Sequence, residues 1–246
     1  MEAIVKDQLL FYLLCKGLIS KQQHAFIVKH STVTNLLECT HDWAVAMHGR
    51  DSVDTIYIDL SRAFESVVHS KLIYKLSNYG ITGSLLKWIE AFLTDRLQCV
   101  VSEYCYSDWS SVLSGVPQGS GPILFIVYIG NVGEICSDNV THCLYADDLK
   151  LYSTIKSDRD NASLQTALDR LEIWCREWQL SININKCHVL HIGRKKNKFN
   201  FAYFLNGCQI NDADVVTDLG VIMDPLLKYD AHINKLVSKG YSRAGL

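Results

Sequence analysis

Proline is scarce in this chain: 3 residues in 246, beside 14 glycines. A sequence so poor in both is not collagen-like, low-complexity or linker-rich. Nine cysteines occur, but no two are spaced C-x-x-C, which removes the zinc-ribbon and dithiol redox motifs. Their odd number and scatter fit free thiols in a reducing, intracellular setting, with nucleus and cytoplasm not distinguished. Long apolar runs are also missing. The longest, Ile123 to Ile129, is far too short to span a bilayer. The run Leu9 to Cys15 has the acidic Glu2 and Asp7 about its start, unlike a secretory signal. No membrane partner is expected. Nor is there an excess of basic charge: 24 Lys and Arg against 26 Asp and Glu give a net charge of −2. That is no basic footprint for nucleic acid. The one dense basic run, Arg194-Lys195-Lys196-Asn197-Lys198, reads as a solvated loop. Cys187-His188 with His191 lacks the partner pair that a zinc site needs. No internal repeat is present. What remains is a 48% hydrophobic chain, enough for one large domain or two small ones.

The patterning predicts helices and strands in mixed order rather than βαβ alternation, an α+β class. Residues 3–15 read as a helix stopped by Gly17, and Ser31-Thr32 cap a second that carries Leu36, Leu37, Trp43, Val45 and Met47. Residues 53–59 read as a buried strand. Ser70 is expected to cap a helix bearing Leu72, Ile73, Leu76 and Tyr79, closed by Gly80; Ser84 is expected to cap another, with Leu85, Trp88, Ile89 and Phe92 turned inward. Residues 98–113 alternate as a hairpin does, 115–122 form a loop, and an apolar helix follows to about Asn131. Residues 141–153 read as a hairpin. Over 163–180, Leu164, Leu168, Leu171, Trp174 or Cys175, and Trp178 make one core-facing stripe. Short strands are expected over 187–192, 201–210 and 215–222.

Chemistry points to the carboxylates. Asp59 ends the apolar run Thr55-Ile56-Tyr57-Ile58. Asp147-Asp148 stand at the tip of the 141–153 hairpin. Two such strands side by side gather three carboxylates at one sheet edge. Like charges are costly to cluster without a cation. Oxygen-only ligands suit a hard ion such as Mg²⁺, with Mn²⁺ as a substitute, and such an ion shares its shell with substrate phosphates. This is the pattern of two-metal phosphoryl transfer. Asp147 and Asp148 are adjacent, so in extended chain their side chains point to opposite faces. On the tetrapeptide alone, an ordinary aspartate turn explains the pair equally well.

Five segments together resemble the reverse transcriptase domain of a non-LTR (LINE-type, jockey-like) retrotransposon. They are Tyr57-Ile58-Asp59-Leu60-Ser61-Arg62-Ala63-Phe64; Leu113-Ser114-Gly115-Val116-Pro117-Gln118-Gly119-Ser120; Tyr145-Ala146-Asp147-Asp148; Leu180-Ser181-Ile182-Asn183-Ile184-Asn185-Lys186; and Asp218-Leu219-Gly220-Val221. The resemblance covers nearly the whole chain. It implies a polymerase palm, a ferredoxin-like antiparallel sheet with helices, over residues 53–193. Partial fingers would precede it over 1–52; primer-grip strands and the start of a truncated thumb would follow over 194–246. It implies RNA-templated DNA synthesis with an RNA template, a DNA primer and dNTPs. Asp59 and Asp147 would hold the metals, with Asp148 in a lesser role. Leu60, Phe64, Pro117, Gln118 and Gly119 would border the nucleotide, Phe64 as a steric gate against a ribose 2′-hydroxyl. Lys186 would assist the departing pyrophosphate. Leu219-Gly220 would be the primer grip, where close packing demands glycine.

The chain departs from the family pattern in places. Gly119-Ser120 runs directly into Gly121-Pro122, two residues short of the usual Gly-Ser-Val-Leu-Gly-Pro; a two-residue deletion shortens the loop or rotates the next helix by about 200°. Glu65 replaces aspartate, Ile129-Gly130-Asn131-Val132 replaces Ile-Asn-Asp-Leu, and Ile27 stands where arginine is common, with Lys29 nearby. No endonuclease domain or first fingers strands are recognised, which reads as a fragment of a longer polyprotein. The rival readings are a catalytically inactive nucleic-acid-binding remnant and an RNA-dependent RNA polymerase; Phe64 argues against the second.

Overall fold

A computed structural model describes residues 2–103, 105–117, 122–137, 139–193 and 201–245. Helix α1 spans Glu2–Cys15 and α2 Thr32–His48. Strand β1 (Ser52–Ser61) is followed by α3 (His69–Asn78) and α4 (Gly83–Leu93). Four two-residue strands come next: β2 (Leu97–Gln98), β3 (Val101–Ser102), β4 (Cys105–Tyr106) and β5 (Ser110–Ser111). They pair as one hairpin nested in another. Then come α5 (Pro122–Ile129), β6 (Thr141–Tyr145), β7 (Asp148–Ile155), α6 (Asp158–Trp178), β8 (Ser181–Ile182) and β9 (His188–Ile192). The hairpin β10 (Phe204–Leu205) and β11 (Cys208–Gln209), β12 (Asn211–Asp212), the hairpin β13 (Val216–Asp218) and β14 (Val221–Met223), and α7 (Asp230–Ala244) complete the chain.

The main sheet has the order β12-β9-β1-β7-β6, with β8 pairing the end of β1. Its pairs are antiparallel except β12 with β9. Both faces are covered, and β1 is buried along most of its length. Alternation sorts the side chains. Ile56, Ile58, Leu149, Leu151 and Val189 join one core with the buried faces of α3, α4, α5 and α6. Val53, Tyr152, Cys143, Leu190 and Ile192 join a second core beneath α2, around Cys39, Trp43 and Ala46. The antiparallel sheet with helices agrees with the expected α+β class.

Several local expectations change. Ser31 does cap α2, its side chain accepting the Thr34 amide. Leu37 and Val45 are 62% and 59% exposed, because the helical period that buries Asn35, Cys39 and Trp43 turns them to solvent. Ser70 and Ser84 are not caps: α3 and α4 start after Val68 and Thr82, neither with a side-chain cap bond. Leu85 of α4 is exposed, while Ile89 and Leu93 are buried. The α6 stripe is buried as expected, but the helix begins at Asp158, where the Asp160 carboxylate accepts the Ser157 amide at 2.8 Å. The shortened loop, with Gln118, Gly119, Ser120 and Gly121, and the basic run 194–198 lie outside the described residues.

Candidate active site

The hairpin β6–β7 turns through Ala146 and Asp147, and its register pairs Tyr145 with Asp148. Across β1, Asp148 stands directly opposite Asp59. Residues directly opposite in an antiparallel pair share a face, with Cβ atoms about 4.5–5.5 Å apart. Asp148 and Asp59 are therefore neighbours on the face that also carries the pair Tyr57 and Lys150. Asp147 projects from the turn. Among the described residues, these three carboxylates do not bring one oxygen each within 4.8 Å of one another.

Electrostatics tie the three together. Asp148 is raised to about 6, first by desolvation, then by the negative charges of Asp147 and Asp218. Asp147 is also raised, by desolvation and by the charge of Asp59. Lys186 closes a 3₁₀ turn (Ile184–Lys186) rather than starting a strand, and its Nζ lies 3.7 Å from Asp59 Oδ1. It brings a positive charge, 66% exposed, to this acidic corner.

Beyond the carboxylates lies an open cleft of about 350 Å³, lined by Asp59, Asp148, Lys186, His188, Thr217 and Leu219 among others. Its far wall is the β13–β14 turn. Leu219 and Gly220 form that two-residue turn with φ of +46° and +89°. Both central residues left-handed is the geometry that matches hairpin twist. A Cβ on Gly220 would meet nothing within 4 Å. The glycine is thus required by its φ and not, as expected, by close packing.

Two other expected residues are largely enclosed. Leu60 is 7% exposed, its side chain in the core, so only its backbone faces outward. Phe64 is half-buried and stacked on Phe125, ring centroids 4.1 Å apart. Gly115, at φ +91°, donates to Val67 O at 2.8 Å, and Val116 donates to Phe64 O at 3.0 Å. A Cβ on Gly115 would collide with Glu65 Cα at 2.9 Å. This glycine lets the strand-end segment and the start of the 115–117 loop lie together, bringing Pro117 toward Phe64.

Sequence reasoning missed the layer beneath the turn. Gln23, 1% exposed, accepts the Ala146 amide at 3.0 Å and the Ala25 amide at 2.9 Å through one oxygen. It thereby holds Ala146 at its left-handed φ of +55°. Lys150, 1% exposed, donates to Asp218 at 2.8 Å and to Asn35 at 2.7 Å. Burial alone would lower its pKa, but the Asp218 charge holds it above the usual lysine value. The pair bolts the β13–β14 hairpin to β7, two residues from Asp148. The signal was present in Leu149-Lys150-Leu151-Tyr152: a cation inside an apolar strand must find a buried partner. His191 belongs to a separate buried network, with Asp54 at 2.6 Å and Asp212 at 3.1 Å.

The chain has a reverse transcriptase-like polymerase fold. A telomerase from Candida albicans, in complex with a fragment of telomeric RNA, superposes with a TM-score of 0.60 at 13% identity, over 90% of this chain and 38% of the telomerase chain. The telomerase of Candida tropicalis gives 0.61 at 10% identity, over 94% and 40%. By sequence, the family described as reverse transcriptase (RNA-dependent DNA polymerase) matches residues 1–222. The chain belongs to that family. It is 28% identical, over 248 residues, to the RNA-directed DNA polymerase from mobile element jockey of Drosophila melanogaster, covering 96% of this chain and 26% of that protein. It is 26% identical to the probable RNA-directed DNA polymerase from transposon BS of the same species, over 98% and 28%. The chain thus spans about a quarter of the length of these non-LTR retrotransposon relatives.

Proposed function

We propose that this chain carries the catalytic core of an RNA-directed DNA polymerase, taking an RNA template, a DNA primer and dNTPs. Residues 53–193 act as the palm, 1–52 as part of the fingers, and 194–246 as primer grip and thumb start. The observation that carries this reading is the register of Asp59 against Asp148, with Asp147 in the adjoining turn and the β13–β14 turn across the cleft.

The residues fit divalent cations. Three carboxylates stand at one corner of the sheet, and two of them have raised pKa values. Asp59, Asp147 and Asp148 would hold Mg²⁺, or Mn²⁺ in its place. When bound, such ions acidify the primer hydroxyl and offset charge on the attacking and leaving oxygens. The remaining work belongs to the chain. The cleft seats the primer end between the aspartates and Leu219-Gly220. The primer 3′-oxygen forms a bond to the α-phosphorus of the nucleotide while the bond to pyrophosphate breaks. Lys186 leaves Asp59 for the pyrophosphate, neutralising it as a point charge does. Phe64, supported by Phe125, and the backbone of Leu60 floor the sugar site. Pro117, Gln118 and Gly119 border the base. His188 and Thr217, which line the cleft, would face the primer.

Single-nucleotide addition to a DNA primer annealed to RNA tests this reading, since it does not require processivity. Addition that depends on Mg²⁺ or Mn²⁺ and disappears in Asp59→Asn and Asp147→Asn supports it. Addition by neither the chain nor a longer form containing it would leave an inactive nucleic-acid-binding remnant as the better account.

A further inference from the structure

Behind the Tyr145–Asp148 turn, three side chains of different type converge: His24 from the segment after α1, Glu38 from α2 and Cys143 from β6. One ligand-type atom from each lies within 4.8 Å of the others. His24 and Cys143 are buried, 4% and 1% exposed, while Glu38 sits at the rim with its side chain 41% exposed.

His24 Nδ1 lies 2.9 Å from Thr34 Oγ1, and Nε2 lies 2.9 Å from Glu38 Oε2. With the ring proton on Nδ1, Nε2 turns a lone pair to the space that Glu38 and Cys143 border. The arrangement of His24 is the one ligating histidines adopt, the far ring nitrogen tied down by a hydrogen bond.

We propose that His24 Nε2, a Glu38 oxygen and Cys143 Sγ form a zinc site, with a fourth position open toward the solvent at Glu38. Nitrogen, oxygen and sulfur in one set suit Zn²⁺, and three protein ligands with one open position is an established coordination pattern. Binding releases the Cys143 thiol proton to solvent and leaves the cluster neutral: Zn²⁺, one thiolate, one carboxylate and a neutral imidazole. Cys39 lies in the same core cluster as Cys143. The role is positional. The site staples the 22–25 segment to α2 and β6, and Gln23 in that segment holds the Ala146 amide. It stands whether or not the chain polymerises DNA.

The test is metal content and cobalt spectroscopy on the purified chain. After stripping and reloading with Zn²⁺, one equivalent is expected. Co²⁺ in its place should show a thiolate-to-cobalt charge-transfer band and tetrahedral visible bands. Cys143→Ala should lose the band, and Glu38→Gln, at the rim and tolerable to the fold, should weaken zinc binding at least tenfold. Cys105→Ala, an exposed cysteine far along the chain, controls for adventitious thiol binding and should change nothing. No stoichiometric zinc, a cobalt spectrum without thiolate character, or Glu38→Gln binding zinc as tightly as Cys105→Ala would each overturn the proposal.

Discussion

Replacing Lys150 with methionine should cost the fold about 3–5 kcal/mol, the usual result of breaking a buried ion pair from one side. The magnitude follows from what is left behind. Asp218 keeps a side chain only 4% exposed and loses its cation, and Asn35 loses an acceptor contact of 2.7 Å. At about 2–4 °C per kcal/mol for a chain of this size, the melting temperature should fall by roughly 6–20 °C. Asp218→Leu alone strands the lysine and should cost a similar amount. The double variant Lys150→Met/Asp218→Leu should recover most of the loss, because apolar replacement of a whole buried pair is often neutral. A residue of about 1–3 kcal/mol should remain for the unpartnered Asn35 oxygen. Urea denaturation of the four proteins, run as a double-mutant cycle, measures this. A single variant within 1 kcal/mol of wild type, or singles that simply add in the double, would refute the claim that the pair bolts β13–β14 to β7.

Further outcomes are expected. Gln23→Ala orphans two amides, at Ala25 and Ala146, and should cost about 1–3 kcal/mol for each that stays dry; a loss below 1 kcal/mol in urea would mean the oxygen is not the turn's anchor. Burial lowers the Lys75 ammonium to about 7, although it reaches Tyr128 O at 2.8 Å and Asn131 at 2.6 Å. A folded pKa below the unfolded 10.5 means the unfolded chain binds more protons between the two values, so this group's penalty is full below about 7 and fades as pH rises toward 10.5. Wild type should therefore gain stability relative to Lys75→Met across that window, and parallel pH profiles would remove the argument. Phe64→Val should raise ribonucleotide incorporation by an amount on the scale of 1–3 kcal/mol. Unchanged rNTP/dNTP selectivity with dNTP addition intact would make Phe64 a packing partner of Phe125 and nothing more.

Much of this molecule was legible beforehand because its signals are local. The 3.6 period of α6, the run of β1 and the turn residues of β6–β7 each specify their element within a dozen positions. The caps of α3 and α4 were misread although serine favours that position: the chain enters the two helices after Val68 and Thr82, two residues ahead of Ser70 and Ser84, with no side-chain cap bond at either. The acidic corner was readable from Asp59 and Asp147-Asp148, but which aspartate faces Asp59 depends on strand register, a long-range quantity that only pairing reveals. Gln23, Asn35, Lys150 and Asp218 were not found for the same reason. Their meaning lies in contacts across 68 to 123 residues of chain, and no periodicity reports such contacts.

The central claim is that Asp59, Asp147 and Asp148 make one metal site, and thermal unfolding tests it most directly. With dNTP and primer–template present to lend phosphate ligands, Mg²⁺ or Mn²⁺ bound only by the folded chain stabilises it by RT ln(1 + [L]/Kd). Wild type should therefore melt higher with metal than without. Asp147→Asn should lose that increment, while its metal-free melting temperature holds or rises as repulsion is relieved. Asp158→Asn, exposed at the start of α6, should behave as wild type. A wild-type chain whose metal response matches that of Asp147→Asn would contradict the account.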